Sequence, residues 1–119
     1  MENVLKSKSL SFAVRIVNLV RHLNSDKGEF VISKQILRSG TSVGALIAEA
    51  EFAESKLDFI HKLAIAQKEA NETIYWLTLL KETEFLTVSQ FEDIHDNAVE
   101  LLKLLTSSIK TTKSRLDNK

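Results

Sequence analysis

The chain has 119 residues, 44% of them hydrophobic and 27% charged, and its sixteen basic residues balance its sixteen acidic ones. That length and hydrophobic content suffice for one domain with a buried core and argue against a disordered chain. The chain has no cysteine, which excludes disulfides and thiolate metal sites. Its sequence also shows no signal peptide and no apolar run of about 18 residues. We therefore expect a cytoplasmic protein that does not enter a membrane.

Apolar residues recur along four segments at the 3.6-residue period of the α-helix, and there is no proline in the chain. The pattern predicts helices over about 8–24, 33–53, 56–83 and 88–111 in a single domain of residues 1–119, followed by a tail from Thr112 that frays. Short connections make consecutive helices antiparallel. The predicted fold class is therefore all-α, an up-down-up-down antiparallel four-helix bundle.

The first helix is expected to bury Phe12, Ile16 and Leu23. The second helix has an apolar stripe that runs from Ile32 to Ala48 and contains Gly40 and Gly44, one turn apart. Each glycine costs about 1 kcal/mol of helix stability relative to alanine, so a pair on a packed face favours the close approach of another backbone. A break of the helix at Gly40 is the alternative reading of the same pattern.

Two later helices carry sequence signals for their starts. Ser55 and Asp58 form an S-x-x-D cap before the third helix, which is expected to bury a slim, alanine-rich stripe. Thr87 with Gln90, or Ser89 with Glu92, caps the fourth helix. These signals support helix starts near residues 56 and 88.

The charges are unevenly distributed although they balance overall. Residues 1–44 carry a net charge of +4, residues 45–100 a net charge of −8, and residues 101–119 a net charge of +4. In an up-down bundle the start of the first helix and the end of the fourth lie at the same end. The candidate nucleic-acid contacts gathered there are Lys6, Lys8, Lys110, Lys113 and Arg115. The alternative is a solvated tail whose cations interact favourably with a helix C-terminus.

A carboxylate di-metal centre is the enzymatic site that a four-helix bundle most readily forms. Its Glu-x-x-His motif occurs at Glu92–His95, with a weaker Asp58–His61 match. Both lie in the first turns of antiparallel helices, which separates them by roughly 30–40 Å of helix rise. Ser39, Thr41 and Ser42 lack the setting of a nucleophile or a phosphate-binding loop. We therefore predict a protein that is not an enzyme and has no metal or cofactor.

Two runs, LRSGTSVGALIAEA and SKLDFIHKLAIAQKEANETIYWL, resemble the small bacterial family of 23S rRNA intervening-sequence proteins, often labelled S23 ribosomal protein. The likeness extends from about Phe12 to Leu80, and the accessory variability protein of diversity-generating retroelements is a relative. The resemblance to this family implies a left-handed four-helix bundle, a homopentamer and no known catalysis. The retroelement relatives are basic and bind nucleic acid, whereas this chain is neutral; Leu46 and Ala50 stand where many members have Asn and Gly.

The second helix has a polar stripe beside its apolar one, formed by Arg38, Ser42, Ala45 and Glu49. In a pentamer, this stripe would contact a neighbouring subunit. The alternative for that stripe is a solvated face. The candidate subunit-interface residues on helices two and three are Arg38, Ser42, Glu49, Glu69, Glu72 and Trp76. The sequence thus predicts an oligomeric scaffold or adaptor whose main partner is a second copy of itself, with nucleic-acid binding at the basic end as the alternative.

Overall fold

A computed structural model describes residues 2–117, with side chains described from residue 4 to residue 116. Its four helices are α1 (Glu2–Ser25), α2 (Ile32–Ala50), α3 (Lys56–Glu82) and α4 (Val88–Asp117). The described residues form no strand, which confirms the all-α class with four helices. Within the same residues, no helix combines the length and apolar character that a bilayer crossing requires.

Three helix ends differ from the sequence prediction. Helix α1 begins at Glu2 rather than near residue 8, because no glycine or proline interrupts it and its buried side already includes Leu5 and Ser9. Helix α2 ends at Ala50 rather than near residue 53, since the backbone N–H of Ala53 donates to the Ala50 carbonyl in a tight turn.

The third difference concerns the end of α4, which continues to Asp117 instead of stopping near residue 111. The predicted fraying from Thr112 is therefore wrong as far as Asp117, and residues 118–119 lie outside the described part. Ser108 and Ile109 are buried and Leu116 is half-buried, so this helix still has a covered side in its last turns. Packing of this covered side against the bundle stabilises the extra helical turns.

Each helix lies beside two others: α1 beside α2, α2 beside α3, α3 beside α4, and α4 beside α1, and the diagonal pairs are further apart. Within each contacting pair, residue numbers rise along one helix as they fall along the other. The pairs that show this are Ser9–Gly44 and Ile16–Gly40, Ser39–Thr73 and Glu49–Lys62, Gln67–Thr106 and Lys81–Phe91, and Lys8–Glu100 and Arg15–Asp93. The described chain measures 54 × 22 × 20 Å.

The core lies along the axis where the inner sides of all four helices meet. Fully enclosed side chains include Phe12 and Ile16 of α1, Val43 of α2, Leu77 of α3 and Leu101 of α4. One buried polar contact crosses it at Ser39, whose Oγ accepts a hydrogen bond of 2.9 Å from Thr73 Oγ1. The pair joins α2 to α3 within the core, and Thr73 Oγ1 also lies 2.8 Å from the Glu69 carbonyl oxygen of its own helix.

The two glycines of α2 lie where α1 comes close, and the helix passes through both without a break. A Cβ atom built on Gly40 would lie 2.8 Å from Ile16 Cγ1, and one on Gly44 would lie 3.4 Å from the Ser9 carbonyl oxygen. The predicted close approach is confirmed. The apolar stripe is narrower than predicted, however, because Ala48 is exposed.

The predicted caps of α3 and α4 are confirmed. Ser55 Oγ accepts from the Asp58 N–H at 3.0 Å, and Thr87 and Gln90 bond each other's backbone N–H groups through their side chains. The cap of α2 was missed in the sequence. There the buried Glu29 carboxylate accepts hydrogen bonds from three backbone N–H groups, those of residues 31, 32 and 33, at 2.7–3.1 Å.

Candidate interaction surfaces

The predicted interface residues of α2 and α3 meet in one charged network on the outside of the bundle. Glu72 lies at its centre, because its Oε2 accepts from Arg38 Nη2 at 2.9 Å and from Trp76 Nε1 at 3.1 Å. The spacing of three and four residues along α3 places Glu69, Glu72 and Trp76 on one side of that helix. Arg38 reaches them from the adjacent helix while its own side chain stays 59% exposed.

Glu69 is the least hydrated charged member of this network. Its side chain is 14% exposed, and its Oε1 lies 4.0 Å from Arg38 Nη1 without a hydrogen-bond partner in the described residues. Arg38 therefore faces two carboxylates, and its attraction to Glu69 is electrostatic rather than a hydrogen bond.

The other two predicted interface residues lie beside this network without joining it. Ser42 Oγ donates to the Arg38 carbonyl at 2.6 Å, so its hydroxyl is satisfied within α2. Glu49 is further along α2 and lies 3.5 Å from Lys62 Nζ. The structure thus places all six residues along the α2–α3 seam and pairs most of their charges inside one chain. Their contact with another subunit remains a prediction.

The predicted basic end is partly neutralised. Lys6 Nζ lies 3.2 Å from Glu51 Oε1, and Lys8 Nζ lies 3.0 Å from Glu100 Oε2. The other three candidates, Lys110, Lys113 and Arg115, lie on the helical end of α4 and form no ion pair with the described residues. Only the α4 part of this end therefore offers cations that are not already paired within residues 4–116.

A cleft of about 540 Å³ opens at the same end, between the start of α1, the turn from α2 to α3 and the end of α4. Its wall is apolar where Leu5, Ile47 and Leu63 line it, and Lys56 and Arg115 stand among its polar residues. The sequence reasoning missed this cleft because it forms where three segments distant in sequence diverge.

A second, shallower cleft of about 280 Å³ lies on the seam between α1 and α4. Arg15 crosses this seam and donates to Asp93 and Asn97. His22 also lines the cleft, and its Nδ1 lies 2.7 Å from Asp26 Oδ2. The hydrogen bond with His22, and then one from Ser25, hold the pKa of the Asp26 carboxyl below its ordinary value of 3.8.

Neither cleft presents the side chains of a metal centre. Among the described residues, no group of three or more histidine, cysteine, aspartate or glutamate side chains is arranged to hold a metal ion. His95 stacks on Phe91, with ring centroids 4.9 Å apart, and His61 is exposed. Among residues 4–116, neither of these histidines belongs to a group that could hold a metal ion.

A family model and a solved crystal structure are both similar to this chain. Residues 1–107 match the family model described as 23S rRNA-intervening sequence protein. A crystal structure from Bacteroides thetaiotaomicron VPI-5482, described as a protein with unknown function from the S23 ribosomal protein family, is 61% identical and superposes with a TM-score of 0.91. The alignment covers 92% of this chain and 97% of that one. No curated protein matches the chain.

Proposed function

This chain belongs to the family of 23S rRNA-intervening sequence proteins, and on that premise we propose that it is a non-enzymatic scaffold or adaptor that works as a homo-oligomer. The proposed assembly is a ring of five copies, each an up-down-up-down bundle. The opposed residue numbering of all four helix contacts supports that bundle topology.

The observation that carries the proposal is the amount of apolar surface left in water by a single chain. Among the described residues, nine large hydrophobic side chains are between 47% and 85% exposed. Single exposed apolar residues are common, but contiguous apolar patches mark interaction surfaces. Two of the nine, Leu10 and Val14, follow each other by one turn on α1. A second copy of the chain can remove this surface from water.

The native mass of the purified chain tests the proposal. Light scattering on a sizing column, at low and at moderate salt, should give a mass near five times the 13.4 kDa of one chain at both salt concentrations. The mass should hold at moderate salt because apolar burial is not screened as exposed charge pairs are. A mass of 13.4 kDa at both salt concentrations would contradict the proposal.

A second candidate function is nucleic-acid binding at the basic end. Its supporting observation is that Lys110, Lys113 and Arg115 project from one continuous helical segment without ion pairs among residues 4–116. A relationship to the retroelement accessory protein would give this activity a precedent. Binding through phosphates predicts an affinity for labelled RNA or DNA that falls steeply with salt and weakens in a Lys110→Glu, Lys113→Glu variant. Affinity that is absent at low salt would rule this candidate out.

A further inference from the structure

The side of α1 that faces away from the core carries large apolar residues. Leu10 is 66% exposed and Val14 is 52% exposed, and they are four residues apart, so one lies above the other on the helix surface. Val17 continues the same line and is half-buried. The core-facing side of this helix is occupied by other residues, such as Phe12 and Ile16. Leu10 and Val14 therefore do not contribute to the core of a single chain.

The neighbouring part of α2 is small and uncharged, which extends this apolar surface across two helices. The close approach of Gly44 to the Ser9 carbonyl sets how α1 and α2 align along their lengths. In this antiparallel alignment, Leu10 and Val14 lie at about the same height as Thr41, Ala45 and Ala48. Ala45 and Ala48 are both exposed. We define the α1–α2 outer face by seven residues, none of them charged: Leu10, Val14, Val17, Leu37, Thr41, Ala45 and Ala48.

The next side of the bundle, beyond α2, differs in carrying charged and aromatic side chains. We define the α2–α3 outer face by Arg38, Ser42, Glu49, Glu72, Tyr75 and Trp76. Tyr75 is 59% exposed and meets Trp76 edge to face, with ring centroids 5.0 Å apart. Tyrosine, tryptophan and arginine are the residues most enriched in the centres of protein interfaces. Since Arg38 and Glu72 pair within the chain, a partner does not need to neutralise them.

We propose that the α1–α2 outer face of one copy packs on the α2–α3 outer face of the next copy. This inference rests on the homo-oligomer proposed above and assigns the two surfaces that build it. Helix α1 is about 36 Å long by helix rise, so the α1–α2 side of the bundle, about 20 Å wide, offers about 700 Å², close to the roughly 800 Å² per partner of a standard interface.

The angle between the two faces explains why such a contact closes into a ring. Because each helix lies beside two neighbours around the perimeter and the cross-section is 22 × 20 Å, adjacent sides of the bundle point about 90° apart. A ring whose copies join through two different faces needs an angle of about 90° for four copies and about 108° for five. Opposite faces, about 180° apart, would instead extend into an open filament. Two faces that share α2 thus suit a small closed ring.

The absence of cysteine from the chain permits a direct test by cross-linking. A Leu10→Cys, Tyr75→Cys double variant treated with a short bis-maleimide should give linked species up to the full ring, because the two positions lie on opposite sides of each contact. Either single variant should stay a single chain on a denaturing gel. Dimers from Leu10→Cys alone would show that the α1–α2 outer face pairs with its own copy, and would overturn the proposal.

Native mass gives an independent readout with a matched control. Leu10→Glu should lower the native mass about fivefold, to that of one chain, because it introduces a charge into the contact. Val88→Glu alters an equally exposed residue, at 61%, that belongs to neither face and should leave the wild-type mass unchanged. Both variants should keep the helical circular dichroism of the wild type, since neither side chain is in the core.

The outcomes separate this inference from the proposed function. A wild-type protein of single-chain mass removes the homo-oligomer and this inference with it. A wild-type oligomer whose mass survives Leu10→Glu, or whose Leu10→Cys, Tyr75→Cys variant does not cross-link, keeps the proposed function and rejects only these two faces.

Discussion

At the scale of single residues, the contact between Gly40 and Ile16 determines how closely α1 and α2 approach. Ile16 is fully buried and β-branched, so it has few rotamers in a helix and cannot easily move away from a new Cβ atom. Gly44, one turn later, has the Ser9 carbonyl at an ordinary van der Waals distance instead. The two glycines of one stripe therefore have different structural requirements.

Gly40→Ala should destabilise the fold and Gly44→Ala should not. Alanine gains about 1 kcal/mol of helix propensity at either position, but at residue 40 the clash with Ile16 costs about 1–3 kcal/mol. We expect a lower urea midpoint for Gly40→Ala and an equal or higher midpoint for Gly44→Ala, measured at one protein concentration. If Gly40→Ala were as stable as Gly44→Ala, the helices would be free to separate at this point.

At the scale of the helix, Glu29 gives α2 its start. The residue before α2, Val31, has no side chain that can accept a hydrogen bond, and the carboxylate of Glu29 takes that role from two residues further back. A negative charge at a helix N-terminus is also favoured by the helix dipole. Ser33 adds to the same turn, as its Oγ lies 3.0 Å from both the Glu29 carbonyl oxygen and Asn24 Oδ1, and its single proton can be donated to either.

Glu29→Ala should lower the free energy of unfolding by about 1–3 kcal/mol, because three N–H groups lose their acceptor in a largely buried position. Chemical denaturation followed by circular dichroism would measure the change. Glu92→Ala is the matched control, since it removes an exposed glutamate near the start of α4, and we expect a change within about 0.5 kcal/mol. Equal effects for the two variants would argue against the Glu29 cap.

At the scale of the whole molecule, ion pairs between helices bring the basic and the acidic segments of the sequence together. The acidic middle of the chain supplies Glu51 to Lys6, Glu100 to Lys8 and Glu72 to Arg38, so that basic and acidic segments meet across helix seams. Exposed ion pairs of this kind contribute up to about 1 kcal/mol each. One such pair, Lys6 with Glu51, joins α1 to the end of α2 beside the α1–α2 outer face, whose seven defining residues are themselves uncharged.

If the proposed oligomer forms, the thermal midpoint of the protein should rise with protein concentration. Assembly stabilises the folded chain by mass action, whereas a monomer unfolds at a temperature independent of concentration. Differential scanning calorimetry over a hundredfold range of concentration would measure the dependence for the wild type. Leu10→Glu serves as the control and should show no dependence.

The sequence by itself determined the helices and several of their ends. A 3.6-residue apolar period and the absence of proline were sufficient to identify four helices, and the caps at Ser55 and Thr87 are local hydrogen bonds between residues three apart. The glycine pair in α2 also indicated the close approach of a second backbone. The helices and their caps depend on interactions within one or two turns, which the order of residues specifies directly.

Only the tertiary structure decided which neighbours cover each helix. It extended α1 and α4 beyond their predicted ends, left Ala48 exposed, and joined Arg15 to Asp93 and Asn97, which are about eighty residues away. It also paired Arg38 with Glu72 inside one chain. The physical reason is that periodicity shows which side of a helix is apolar, whereas burial and pairing depend on helices brought together from distant parts of the chain.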